Sequence, residues 1–187
     1  MKLGLSTYSF PWAFGVPHLG YPPQMSLSDL LHFAHEHQVE RVQVGDNCPL
    51  HHMTLAALEH LTQLVGHLGI QIEVGTRRLS IENLENYLPF AHIFRSSFLR
   101  VVIDDLNYCP DSDQIRAIIL KMLPAFKAAG VVLAIENHDR FPAGALRNII
   151  EDTDPEWVGI CLDTANSLAA NEGIQTVLET LAPYTVN

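Results

Sequence analysis

The sequence is poor in positive charge. Lys plus Arg total 11 against 21 Asp plus Glu, and only three of the 11 are lysines (Lys2, Lys121, Lys127). The formal net charge is −10. A nucleic-acid binder needs a basic face, so DNA and RNA are excluded as main partners, as is an anionic membrane surface. No apolar run reaches the roughly 18–20 residues of a membrane span. MKLGLSTYSF carries one charge and then alternates small and apolar residues, so it reads as a strand and not as a signal peptide. Cysteine is scarce too: Cys48, Cys109 and Cys161, odd in number and with no CxxC, read as free thiols in a reducing cytoplasm. HExxH and GxSxG are missing, which removes zinc-protease and serine-hydrolase readings. GLSTYSFPW is no glycine-rich phosphate loop, so a dinucleotide-binding sheet is the weaker choice.

What the 187 residues do contain is alternation. Strand-like runs occur at Leu3–Tyr8, Arg41–Asp46, Ile70–Gly75, Phe98–Asp104, Val131–Glu136 and Val158–Asp163, and a seventh begins at Thr185. Most are spaced by roughly 30 residues, the size of one βα unit. Between them lie helical runs at Leu30–His37, Leu55–Leu68, Ile81–Phe94, Ser112–Ala129, Ala143–Glu151 and Ile174–Leu181. Pro124 should kink the fourth. No linker or low-complexity segment marks a boundary, so residues 1–187 read as one domain. The expected fold is α/β, a (β/α)8 TIM-barrel type that is incomplete: about six βα units plus the start of strand seven. A full barrel needs about 250 residues. The chain therefore reads as a fragment, or as a partial barrel whose open edges invite pairing with another chain.

Glu136 and Asp163 carry the chemical argument. Each ends an apolar run, in AIEN and CLDT. Tips of consecutive parallel strands lie roughly 5 Å apart when adjacent. Two carboxylates so placed repel unless a cation lies between them, and hard oxygens suit Mg²⁺, Mn²⁺ or a similar divalent ion. Asn137 and His138 follow Glu136 and can orient a ligand or bind a hydroxyl. Arg140 can pair with Asp139, or hold an anionic substrate group. Asn166 either faces the site and binds a sugar hydroxyl or caps a turn. Glu73 lies inside a strand and needs a partner; it lines the cavity or pairs with Arg77 or Arg78. The loop Phe10–Pro23 leaves the expected catalytic end. Phe10, Trp12 and Phe14 form either an apolar wall or a satellite core, and Tyr8 at the strand tip reaches toward the cavity. Most of the ten histidines fall on helices; His51 and His52 are minor candidates.

The segments LGLSTYSFP, IEVGTRR, AIENHDRF and GICLDTANSL resemble the xylose isomerase-like barrel superfamily of sugar isomerases and epimerases, with the strand-five and strand-six motifs the specific ones. The resemblance implies a divalent metal ion (Mn²⁺, Mg²⁺ or Co²⁺) held by Glu136 and Asp163, together with a His on strand seven and a Glu on strand eight that fall outside these residues. It implies proton transfer through an enediolate, with Glu136 as one acid–base group. Asn166 stands where several epimerases of that family carry a His. The implied partner is a small sugar or sugar phosphate, the setting cytoplasmic, and a homo-oligomer is compatible. The chain as given should then be weakly active or inactive. The alternative is a non-catalytic partial barrel that binds a small polyol or a partner chain.

Overall fold

The computed structural model describes residues 3–138, 140–169 and 172–187. Six strands alternate with helices: β1 Gly4–Ser6, α1 Leu27–Glu36, β2 Arg41–Val44, α2 Leu55–Leu68, β3 Gln71–Arg77, α3 Ile81–Ile93, β4 Phe98–Val102, α4 Ser112–Ala129, β5 Val132–Glu136, α5 Ala143–Glu151 and β6 Val158–Cys161. The short helix α6 (Asn166–Ala169) and α7 (Ile174–Leu181) follow. The strands stand in the sheet in chain order. The pairs β1–β2, β2–β3, β4–β5 and β5–β6 are parallel. No helix among the described residues is long and apolar enough to cross a membrane.

Chain contacts define two compact units, residues 1–75 with 89–96 and residues 76–88 with 97–187. In the first, the tips of β1 and β2 are tied by side chains. Buried Thr7 donates to Asn47 Oδ1 (2.5 Å) and accepts from the Gly45 N–H (2.9 Å). The Tyr8 hydroxyl donates to Asp46 (2.9 Å). The Tyr8 ring lies so close over Gly45 that a Cβ there would meet it at 2.7 Å, which is why this position takes glycine.

In the second unit the strands are apolar on both faces, as a parallel sheet requires. Leu99, Val101, Leu133, Ile135, Val158 and Ile160 are all buried. The other face carries Phe98, Ala134 and Cys161 in one cluster with Val132 against it. The period of two puts Arg100 on the side of Phe98, and Glu136 on the side of Ala134. Helix α4 buries Ile115, Ile119, Met122 and Phe126 at helical spacing. Pro124 lies on its exposed side, so its missing N–H leaves that packed stripe intact.

Several boundaries differ from the sequence reading. α1 begins three residues earlier, at Leu27, because Ser26 and Asp29 form a reciprocal capping box. α4 keeps its expected bounds, Ser112–Ala129, with Asp111 as its cap and Gln114 reciprocating. β6 ends at Cys161, so Asp163 lies two residues beyond the strand and not at its last position. The seventh strand is present as a single parallel bridge, Ile160 to Thr185, extended by bonds from Val186 N–H to Ile160 O (2.9 Å) and from Leu162 N–H to Asn187 O (2.7 Å).

Candidate active site

In the second unit, parallel pairing sets Arg100 opposite Ala134 and Glu136 opposite Cys161. Glu136 is the last residue of β5 and only 6% exposed. A buried carboxylate needs a counter-charge and hydrogen-bond donors. It has them from β4: the Arg100 guanidinium, also 6% exposed, donates through Nε to Glu136 Oε2 as an ion pair.

Asn137 fixes the neighbouring tip. Its Oδ1 accepts from the Asp163 N–H (2.7 Å) and its Nδ2 donates to the Asp163 carbonyl (2.8 Å). The carboxamide copies the two bonds of a β-ladder and extends the β5–β6 pairing past the end of both strands. Asp163 then turns one oxygen back on the chain, where Oδ1 accepts from the N–H groups of Ala165 (2.8 Å) and Asn166 (3.4 Å). The four-residue α6 begins at Asn166. The Asp163 side chain is thus oriented from two sides before any ligand arrives.

His138, Asn166 and Asn137 line a small cavity of about 10 Å³, with Ser167, Glu172 and Phe141 beside them; it has room for about one water molecule. Glu172 accepts from the Ala143 N–H (2.8 Å) and so caps α5, whose own N-cap residue, Pro142, offers no side-chain bond. Arg140 is turned elsewhere. It grips Asp104 with two bonds (2.7 and 2.6 Å), donates to Pro110 O (2.7 Å) and lies over the Phe141 ring. The bonds from Asp104 push the Arg140 pKa up, despite partial desolvation. Asp139, the partner considered from sequence, lies outside the described residues.

The remaining candidates belong to the first unit. Glu73 is buried and pairs with Arg41 (3.0 Å), with Gln43 at 3.5 Å; Arg41 is a partner the sequence reading did not name. The parallel register explains it, since Arg41 stands opposite Gln71, one diagonal step from Glu73. Arg78 instead faces Asp105 and the Tyr108 ring. Tyr8 is held by Asp46. Trp12 is 60% exposed and packs edge-on against Tyr21. Phe10 packs on Phe33 of α1, and Phe14 is buried. His51 and His52 sit ring to ring, and burial followed by its neighbour's charge lowers the His51 pKa. Cys48, Cys109 and Cys161 are thiols outside any disulfide.

Sequence reasoning missed Arg100. The signal was there: one charge in the buried run FLRVV demands a buried partner of opposite sign. Ser167 and Glu172 gave no such signal.

A divalent ion such as Mg²⁺ or Ca²⁺ takes about six or more hard oxygen donors. Glu136 and Asp163 are right in kind, being hard oxygen donors. They are short in number: among the described residues no group of three or more His, Cys, Asp or Glu is placed to hold one metal. One of the two is also already neutralised by Arg100. By themselves these residues do not fit a divalent ion.

Comparison with known proteins agrees with the fold. The chain is 30% identical over all 187 residues to a 3-oxo-isoapionate decarboxylase of Pectobacterium atrosepticum, and spans 67% of that protein. A D-psicose 3-epimerase structure with D-fructose superposes with a TM-score of 0.78 at 15% identity, over 99% of this chain and 71% of that one. An IolI structure with a bound zinc atom gives 0.69 at 14% identity, over 99% and 70%. The chain thus spans about two thirds of its relatives' length. The family described as xylose isomerase-like TIM barrel matches residues 68–187. Six strands in chain order alternating with helices therefore have a family context: the chain belongs to the xylose isomerase-like TIM-barrel family.

Proposed function

We propose that this chain is part of a cytoplasmic sugar-modifying enzyme, an isomerase or epimerase that moves a proton next to a carbonyl. Its substrate is a small sugar, sugar phosphate or sugar derivative. Residues 1–187 act as one partial barrel domain. The observation that carries the reading is the joined pair of tips, with Glu136 ending β5 and Asp163 fixed beside it by the Asn137 carboxamide. A carboxylate held at a strand tip can take a proton from a carbon made acidic by an adjacent carbonyl and return it to the neighbouring carbon, through an enediolate. Asn166 and His138 share the small cavity beside Asn137 and would offer hydrogen-bonding groups to a hydroxyl there. Arg140 is committed to Asp104, and its role is to hold the loop. Tyr8, Trp12 and Glu73 remain substrate-side candidates of the first unit. The metal dependence that the resemblance implies stays a proposal: Mn²⁺, Mg²⁺ or Co²⁺ would take Glu136 and Asp163 and draw its other ligands from outside these residues. Three cysteines outside any disulfide fit the cytoplasmic setting.

The test is hydrogen exchange in D₂O, followed by proton NMR, with a panel of ketoses and 3-oxo sugar acids. The chain should wash deuterium into the position beside the carbonyl, slowly but faster than buffer. Glu136→Gln should lose that exchange by about 10²-fold or more. Equal exchange by wild type and Glu136→Gln sinks the proposal.

A further inference from the structure

We infer that Arg100 is the resident cation of this site, and that it competes with any divalent ion for the Glu136 carboxylate. The inference concerns the residues of the functional reading but not the activity, so a protein inactive on every sugar could still bear it out.

The argument begins with charge. Glu136 is almost fully buried, and the Arg100 guanidinium is bonded to it from the adjacent strand. A guanidinium is always charged and presents a rigid donor fork suited to carboxylates. A divalent ion seated on Glu136 must either evict that fork or accept a positive neighbour within a few ångström. Both oppose binding, and in a poorly solvated site the repulsion is far larger than in water. The second carboxylate gives little relief, because Asp163 spends Oδ1 on the Ala165 and Asn166 N–H groups. Other guanidiniums of this unit have partners of their own: Arg140 holds Asp104, and Arg116 pairs with Asp113 and Asp152. Arg100 is therefore a positioning residue. It orients Glu136 and sets the cation affinity of the site.

The experiment measures Mn²⁺ binding by electron paramagnetic resonance at about 0.15 M salt, where diffuse surface attraction is screened. Wild type and Arg100→Lys should bind weakly. Arg100→Gln should bind at least about tenfold more tightly, the change expected when one adjacent positive charge is removed. Asp163→Asn placed on Arg100→Gln should erase the gain. Micromolar binding by wild type, no gain in Arg100→Gln, or a gain indifferent to Asp163→Asn would each overturn the inference. Removing one member of a buried pair can unfold a protein, so a second measurement uses wild type alone. The Arg100 Nε–H proton, tied to a carboxylate, should lose its protection from exchange as Mg²⁺ occupies the site. A cation bound at Glu136 and Asp163 with that proton untouched would refute competition.

Discussion

Replacing Asn137 by Ala removes both the acceptor for the Asp163 N–H and the donor to its carbonyl. Two backbone groups of a partly buried loop are then left without their partner, and the expected cost is about 1–3 kcal/mol in urea unfolding. A variant with unchanged stability would mean that water replaces the carboxamide without loss. Reactivity of the thiols gives a second prediction at this scale. Burial pushes the Cys48 pKa up to about 11, whereas Cys109 is exposed. Thiolate is the reactive form and Cys48 holds almost none of it at neutral pH. Iodoacetamide at pH 7–8 should label Cys109 first, and Cys48 should follow only as the pH climbs toward 11. Peptide mass mapping over a pH series reads the order, and early labelling of Cys48 would contradict it.

At the scale of elements, the helices were legible because their signals are local. Thr54 and Gly69 bracket α2, and α5 and α7 start and stop where their apolar spacing does. The tips of strands were less legible, because pairing, not sequence, decides where a strand ends. Val158–Asp163 reads as one run, yet the ladder stops at Cys161, and Asp163 is held by the Asn137 side chain just past the tip of β5. The partner of Glu73 was likewise hidden, since only the β2–β3 register brings Arg41 beside it. The pairing of Arg100 with Glu136 spans 36 positions and depends on register in the same way. Gly159 in β6 tests the role of the last segment. A Cβ there would come within 2.7 Å of Val186 Cγ1 and 2.8 Å of the Tyr184 carbonyl. Gly159→Val should push residues 184–187 off the β6 edge, cost about 1–3 kcal/mol, and speed hydrogen exchange at the Val186 and Leu162 amides. Gly144→Ala in α5 meets nothing within 4 Å and should be neutral or stabilising by about 0.5–1 kcal/mol. Slow exchange at both amides in Gly159→Val would show that the segment tolerates the side chain.

At the scale of the whole chain, 21 acidic residues against 11 basic ones create a negative field that attracts divalent cations without any site. Mn²⁺ titrated into the protein at low ionic strength should show several weak equivalents, and these should vanish as salt approaches about 0.15 M. Binding that survives the salt reports local coordination. Equivalents that persist undiminished at high salt would point to a built site beyond Glu136 and Asp163. Composition pointed away from nucleic acid as a partner, and alternation of elements indicated the barrel class. Neither could say which cation faces Glu136, because that depends on one arginine and its register.

The carboxamide of Asn137 also has a lifetime. Asparagine is among the heat-labile residues, and hydrolysis of its amide leaves a carboxylate. At position 137 that change would put an acceptor against the Asp163 carbonyl, where a donor now sits. Once that hydrolysis occurred, the tip between β5 and β6 would carry the mark, as a one-dalton gain on the peptide holding residue 137, while the other bonds of the fold stayed as they were.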